Sequence, residues 1–163
     1  MFKENDYVVY RRNLCIVKGI KHSKVTEKDY YVLVPIDDES LTIDVPTENK
    51  HDSIRALISK TQVEQIIKEI PNVDAIEKND RMIENEYKQL LNTGEHLALI
   101  QIIKTTYLRN KQREEAGKKR AEKDNNYFKL AEKILYNEFS VVLGMSYEDT
   151  KKYVVDKVTN LIK

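Results

Sequence analysis

The sequence predicts an α+β fold in which a small antiparallel, β-barrel-like domain precedes an all-α helical bundle. Between residues 7 and 45, apolar and polar residues alternate with a period of two, which is typical of β-strands. From about residue 75, apolar residues recur every three to four positions, as they do along amphipathic helices. The period changes once along the chain, so we place two domains at residues 1–70 and 75–163.

Four strand-like runs make up the predicted β-domain: YVVY, LCIVKGI, DYYVLVPI and SLTIDVP. The acidic link DDE at 37–39 fits a hairpin turn, because no histidine or second carboxylate motif accompanies it as a metal or acid–base site would require. Cys15 lies in the second run and is predicted to be a small buried strand residue. As a single cysteine it excludes an internal disulfide.

A short helix, TQVEQIIKEIP, is predicted after the strands, and Thr61 and Glu64 have capping-box spacing at its start. Four longer helices follow, and short loops between them predict antiparallel neighbours. Ser146 and Asp149 have capping-box spacing at the start of the last helix. The glycines expected to end the other three are Gly94, Gly117 and Gly144.

The apolar faces of three helices follow from their helical spacing. In chain order they are Ile83, Tyr87, Leu90 and Leu91; then Leu97, Ile100, Ile103, Tyr107 and Leu108; then Phe128, Leu130, Ala131, Ile134, Leu135 and Phe139.

Composition and motifs exclude most kinds of chemistry. No apolar run approaches the roughly 18 residues of a membrane span and no signal peptide begins the chain, so a cytoplasmic protein is expected. His22, His51 and His96 have no partners at metal-ligand spacing, and the four scattered glycines form no phosphate loop. We therefore expect a binding protein with no metal, no cofactor and no small-molecule substrate, and not an enzyme.

Charge is distributed unevenly although the formal net charge is only +1. Residues 1–70 carry 11 Lys and Arg against 12 Asp and Glu, whereas residues 104–120 carry seven Lys and Arg against two Glu. Two interpretations of this basic stretch remain open. It suits contact with a nucleic-acid phosphate backbone, or it is a solvated helix face whose C-terminal cations complement the helix dipole.

The order of these segments resembles a known family. FKENDYVVYRRNLCIVKGI, DYYVLVPIDDESLTIDVPTEN and Arg55 resemble the N-terminal module of the CarD family of bacterial transcription regulators, a Tudor-like (SH3-like) domain also found in transcription-repair coupling factors. LLNTGE, ALIQIIKTTYLRNKQREEAGKKR and LAEKILYNEF are similar to the helical domain of the same family, in the same order. The resemblance thus extends over almost the whole chain.

The resemblance implies two partners and a role in transcription initiation. The β-domain would dock on the β subunit of bacterial RNA polymerase, a strand such as SLTIDV offering its backbone edge to the partner. The helical domain would contact promoter DNA, without sequence specificity, at the upstream edge of the melted region and so modulate open-complex stability. The implied polymerase-binding residues are Leu41, Thr42, Ile43, Asp44, Val45, Pro46 and Arg55.

The candidate DNA-binding residues combine the basic stretch with the start of the helical domain. They are Asp80, Arg81, Lys88, Arg109, Lys111, Arg113, Lys118, Lys119 and Arg120. Many family members carry a tryptophan near the start of the first helix of this domain, where it wedges against a minor-groove base. This chain has no tryptophan, and Asp80 is the best match to that position.

Two alternative functions remain open. One is an adaptor that docks on polymerase without a useful DNA contact, which the missing tryptophan and the near-neutral total charge favour. The other is an RNA- or ribosome-associated factor, although residues 1–70 lack the basic and aromatic surface expected of an RNA-binding barrel.

Overall fold

A computed structural model of the chain describes residues 1–49 and 53–162. The elements are β1 (Tyr7–Tyr10), β2 (Asn13–Ser23), β3 (Lys28–Pro35), β4 (Ile43–Pro46), β5 (Ile54–Ala56), α1 (Lys60–Glu69), α2 (Ile83–Thr93), α3 (His96–Glu115), α4 (Glu122–Leu143) and α5 (Tyr147–Leu161), with a 3₁₀ turn at Ile70–Asn72. The α+β prediction is therefore confirmed. The chain divides into two compact units, Met1–Ile58 and Ser59–Lys163, which are called here the β-unit and the helical unit.

The β-unit is one antiparallel sheet with the strand order β4-β3-β2-β1-β5. The predicted antiparallel sheet is present, but β4 and β5 form its two edges and do not pair within the described residues, so barrel closure is not confirmed. β5 was not predicted, because its three residues, IRA, are too few to show alternation.

One face of the sheet forms the core of the β-unit. Its buried residues are Val8, Cys15, Val17, Tyr31, Leu33, Val45 and Ile54. The predicted burial of Cys15 is confirmed, since its exposed fraction is 0%. Burial raises the pKa of this thiol to about 11, because the thiolate would lose its hydration in the core.

In the helical unit, α3 packs along α4, α2 packs against both, and α1 packs against α4 and α5. α1 therefore belongs to the second unit, whereas the predicted domain boundary left residues up to 70 with the strands. The reason is its apolar face: Val63 and Ile67 are at most 1% exposed. No helix in the described part of the chain is long and apolar enough to cross a membrane.

The start of α1 differs from the predicted capping box. Ser59 accepts the Gln62 N–H at 3.1 Å, and Gln62 Oε1 accepts the Ser59 N–H at 2.8 Å, so the box lies two residues before the predicted pair, Thr61 and Glu64. At the start of α5 the Ser146 hydroxyl accepts the N–H of Asp149, which is one of the two hydrogen bonds of the predicted capping box.

The predicted faces of α2 and α4 contain the residues that pack. Ile83, Tyr87 and Leu91 are buried on α2, and Ala131, Leu135 and Phe139 are buried on α4, although Leu130 is 38% exposed. Gly94 and Gly144 adopt left-handed φ angles of 66° and 67° after these helices, a conformation that glycine favours at a helix end.

The predicted face of α3 is correct only in part, since Ile100 is buried and Ile103 is half-buried. Leu97, Tyr107 and Leu108 are 44%, 56% and 39% exposed. The buried face is instead formed by Ala98, Leu99, Ile102, Thr105, Thr106 and Asn110. The polar members can be buried because each has a partner: the two threonine hydroxyls donate to carbonyls one turn earlier, and the Asn110 amide donates to Asn125 Oδ1 at 2.9 Å.

Candidate functional site

β4 is an edge strand, and its hydrogen-bond register decides which backbone groups face outward. Thr47 N–H donates to Asp29 C=O at 3.0 Å, directly beyond the Tyr30–Pro46 pair of the β3–β4 ladder. Hydrogen-bonded and non-bonded pairs alternate in an antiparallel ladder. Ile43 and Val45 therefore bond to β3, while the N–H and C=O of Asp44 point away from the sheet.

The side chains of β4 alternate as predicted. Val45 is 4% exposed in the core and Ile43 packs against that core, whereas Asp44 lies on the opposite face and forms an ion pair with Lys21 on β2. Pro46 occupies the next outward-facing position and has no N–H, so within β4 only Asp44 offers an outward backbone donor.

The other predicted polymerase-binding residues lie apart from β4. Leu41 is 46% exposed and Thr42 is exposed, and both precede the strand, which begins three residues later than the predicted run. The preceding turn is held by Asp38, whose carboxylate accepts the N–H of Ser40 at 3.1 Å. Arg55 lies on β5 at the opposite edge of the sheet, where it pairs with Val9. The seven residues therefore do not form one strand edge.

In the helical unit, Arg109 joins α3 to two other segments. Its Nε donates to Oδ2 of Asp124 at 3.1 Å, and its Nη2 donates to Asp80. Asp124 is 1% exposed and also accepts the hydroxyl of Tyr87 at 2.9 Å. Burial and this hydrogen bond raise the pKa of Tyr87, while the hydrogen bond from Arg109 lowers the pKa of Asp80.

These contacts border a groove beside the C-terminal half of α3. The residues that line it are Asp80, Arg109, Gln112, Arg113, Ala116 and Lys118. Arg113 donates from Nε to the Lys119 carbonyl at 2.9 Å, which fixes the connection between α3 and α4 next to the groove. Three cations and one carboxylate meet here, so the groove favours an anionic ligand.

Several predicted DNA-binding cations lie elsewhere or already have partners. Lys88 lies 3.9 Å from Glu84, one helical turn away on α2, and Arg120 pairs with Glu114. Lys111 is two positions from both Arg109 and Arg113, which places it on the opposite side of α3. The predicted DNA-binding cations therefore point to different sides and do not form one continuous patch.

Lys104, which contributes to the basic stretch, has a structural role. Its Nζ donates to the carbonyls of Ile70, Pro71 and Val73 at 3.1, 3.3 and 2.6 Å. These carbonyls end α1 and the 3₁₀ turn, where a cation satisfies acceptors that the helix leaves unpaired. The Lys104 ammonium therefore stabilises the fold by binding these carbonyls.

The segment before α2 contains Asp80, the predicted match to the family tryptophan. The Asn79 carboxamide oxygen accepts the N–H groups of Arg81 and Met82, each at 3.1 Å, and so caps the turn. The Asp80 side chain is 78% exposed and Arg81 is also exposed. Ile83, the first residue of α2, is fully buried. Residue 80 therefore faces solvent and not the core.

Sequence reasoning missed Tyr87, Gln112 and Asp124 as parts of this site. An acidic residue in the first turn of a helix needs no partner beyond the helix dipole, so its type alone does not mark Asp124. The available signal was that Asp124 belongs, by helical spacing, to the same face as the apolar Phe128 and Ala131. A carboxylate on such a face requires a buried partner.

The histidines form pairs with carboxylates. His22 Nδ1 lies 2.8 Å from Asp29, and His96 Nε2 lies 2.8 Å from Glu138. His51 lies outside the described residues. Among residues 1–49 and 53–162, no three His, Cys, Asp or Glu side chains come together as a metal site.

The fold and these two surfaces define a two-unit α+β protein with an open β-edge in one unit and a cationic groove in the other. Residues 2–58 match the family model of the CarD-like/TRCF RID domain. The β-unit therefore belongs to this family, and the predicted resemblance is confirmed there. The match identifies residues 2–58 as a domain of the RNA polymerase-interacting type. No curated protein gives a significant match to the chain.

Proposed function

We propose that this chain is a non-enzymatic transcription regulator that docks on the β subunit of bacterial RNA polymerase through β4 and contacts promoter DNA through the helical unit. The DNA contact lies near the upstream edge of the melted region and modulates the stability of the open complex. A regulator can shift this equilibrium only by binding one state more tightly than the other, so its effect equals the difference between the two affinities.

The match of residues 2–58 to the RID domain carries the proposal, and the geometry of β4 supplies a docking mode. Asp44 directs its N–H and C=O outward from an edge strand, so a strand of the partner can extend the sheet there. Pro46 limits how far such pairing continues, because it lacks the next outward donor.

The DNA contact is supported by the groove in the helical unit. Arg113 and Lys118 line it, and Arg81 lies beside Asp80 at its border. Contacts of this kind are made to phosphates and carry no sequence information. About three phosphate contacts suit so small a surface, and they predict weak binding with a log–log salt slope of about −3.

A second candidate is a polymerase adaptor that makes no useful DNA contact. It is favoured by the ion pairs in the basic region, where Arg109 and Arg120 both contact carboxylates. Each such pair reduces the charge that is available to phosphate. The two candidates share the polymerase contact and differ only in the helical unit.

The test has two arms. The tagged full chain is used to capture purified bacterial RNA polymerase and, separately, a fragment of its β subunit; failure to retain polymerase would overturn the proposal. Mobility-shift titrations with duplex DNA, a fork junction, single-stranded DNA and a structured RNA then extend from about 50 to 200 mM salt. Retention of polymerase without any shift at the lowest salt identifies the adaptor, and a preference for RNA identifies an RNA-associated factor.

A further inference from the structure

We propose that the groove bordered by Arg109, Arg113 and Lys118 is a phosphate-binding site and that Asp80 occupies it in the free chain as an internal competitor. The assignment of DNA phosphate as the ligand rests on the proposed function. The existence of the site and the competition by Asp80 can be tested separately with a small phosphate compound.

Arg109 is positioned by its buried neighbour. Asp124, which is 1% exposed, accepts Arg109 Nε at 3.1 Å and is itself held by the Tyr87 hydroxyl at 2.9 Å. One edge of the guanidinium is thereby fixed to the core of the helical unit. Its Nη2 reaches Asp80 at the groove, and a phosphate oxygen can take the place of that carboxylate oxygen.

Asp80 has the properties of a displaceable occupant. Its side chain is 78% exposed in the turn before α2, so no packing holds it against Arg109. The hydrogen bond from Arg109, aided by the charges of Arg113 and Lys123, lowers its pKa, and it is therefore an anion at neutral pH. Exposed ion pairs contribute little to stability, so a ligand with more charge can replace the carboxylate.

A phosphate group gains contacts that a single carboxylate does not make. Arg113 uses Nε for the Lys119 carbonyl, and a guanidinium carries further N–H donors on its Nη atoms. Lys118 and Gln112 line the same groove and supply an ammonium and an amide donor. Arg–phosphate pairs favour this geometry because the planar fork matches two phosphate oxygens.

The experiment compares Asp80→Asn with Glu114→Gln in the full chain. Each change removes one exposed negative charge from an ion pair of the same basic region, but Glu114 contacts Arg120 and does not line the groove. Inorganic pyrophosphate is titrated into each protein, and the amide NMR signals of Arg113 and Lys118 report binding. Far-UV circular dichroism and thermal unfolding verify that the variants are folded, and Asp80→Ala serves as a second variant.

We expect Asp80→Asn to bind pyrophosphate about fivefold more tightly than the wild type and Glu114→Gln to change the affinity less than about twofold. Equal changes in both variants would mean that only overall charge matters, and this result would overturn the proposal. Absence of pyrophosphate binding in all variants would do so too.

A salt titration with duplex DNA distinguishes this inference from the proposed function. If DNA binds, Asp80→Asn should raise the duplex affinity about fivefold with little change in the log–log salt slope, since the phosphate that displaces Asp80 in the wild type is neutralised in both proteins. Unchanged DNA affinity in that variant would overturn the competition. If pyrophosphate gives the expected result but no variant binds DNA, the site stands and the proposed DNA contact fails.

Discussion

Arg109 Nε lies 3.1 Å from Oδ2 of Asp124, and this carboxylate is 1% exposed while the guanidinium is one quarter exposed. The pair joins α3 to the first turn of α4, and Tyr87 extends it to α2. A cation that sequence reasoning assigned to a DNA surface is thus also part of the polar interior of the helical unit.

Asp124→Ala is expected to lower the free energy of unfolding of the helical unit by about 3 kcal/mol, because it leaves a partly buried guanidinium and the Tyr87 hydroxyl without their acceptor. Glu122→Ala is the matched control, since it is exposed in the same helical turn and loses only a dipole interaction of about 0.5 kcal/mol. Urea denaturation followed by far-UV circular dichroism measures both. Equal losses in the two variants would contradict a structural role for the buried pair.

Asp44→Pro is expected to weaken polymerase docking about three- to tenfold, because it removes the outward N–H of β4 without removing a bond to β3. Asp44→Ala keeps that N–H and removes only the ion pair with Lys21, so it should bind like the wild type. Surface plasmon resonance on immobilised polymerase compares the three proteins. An equal loss of binding in the alanine and proline variants would show that the side chain, and not the strand edge, makes the contact.

Asp80→Trp is expected to lengthen the lifetime of promoter open complexes about fivefold relative to Asp80→Asn, since stacking on a base is worth on the order of 1 to 3 kcal/mol. Position 80 is exposed, so the indole can be accommodated without disturbing the core. Asparagine is the reference because it removes the same charge without adding a ring. Identical lifetimes of the two variants would mean that this turn does not approach the DNA at the edge of the melted region.

Cys15 should react with iodoacetamide at a rate that rises about tenfold per pH unit from pH 8 to 10 in the native protein. Burial raises its pKa to about 11, so the native thiolate fraction keeps increasing over this range. If the thiol reacts only when the protein opens transiently, the rate rises with the same slope. The thiol has a pKa of about 8.5 in the opened state, so it loses its proton there at a lower pH than in the native state, and the free energy of opening falls as pH rises. In urea-unfolded protein the rate should level off above about pH 9. A native rate that also levels off there would indicate an accessible thiol.

Periodicity along the sequence was sufficient for the α+β class, four of the five strands and the buried faces of α2 and α4. It failed on α3, where Thr105, Thr106 and Asn110 are buried although hydropathy marks them as surface residues. Their hydrogen bonds with the helix carbonyls and with α4 offset the cost of burial, and such bonds leave no apolar pattern in the sequence.

The sequence by itself determined every element except β5, the two-part organisation and the family of the β-unit, because these depend on local periodicity, caps and ordered motifs. Only the tertiary structure decided which charges are available to a ligand. Lys104 and Arg109 count equally as cations of the basic stretch, yet Lys104 binds backbone carbonyls and Arg109 is held by Asp124. Their partners are 15 or more positions away along the chain, so local sequence patterns do not reveal them. Likewise, the outward direction of the Asp44 N–H depends on the register between β3 and β4, which is set when the strands pair.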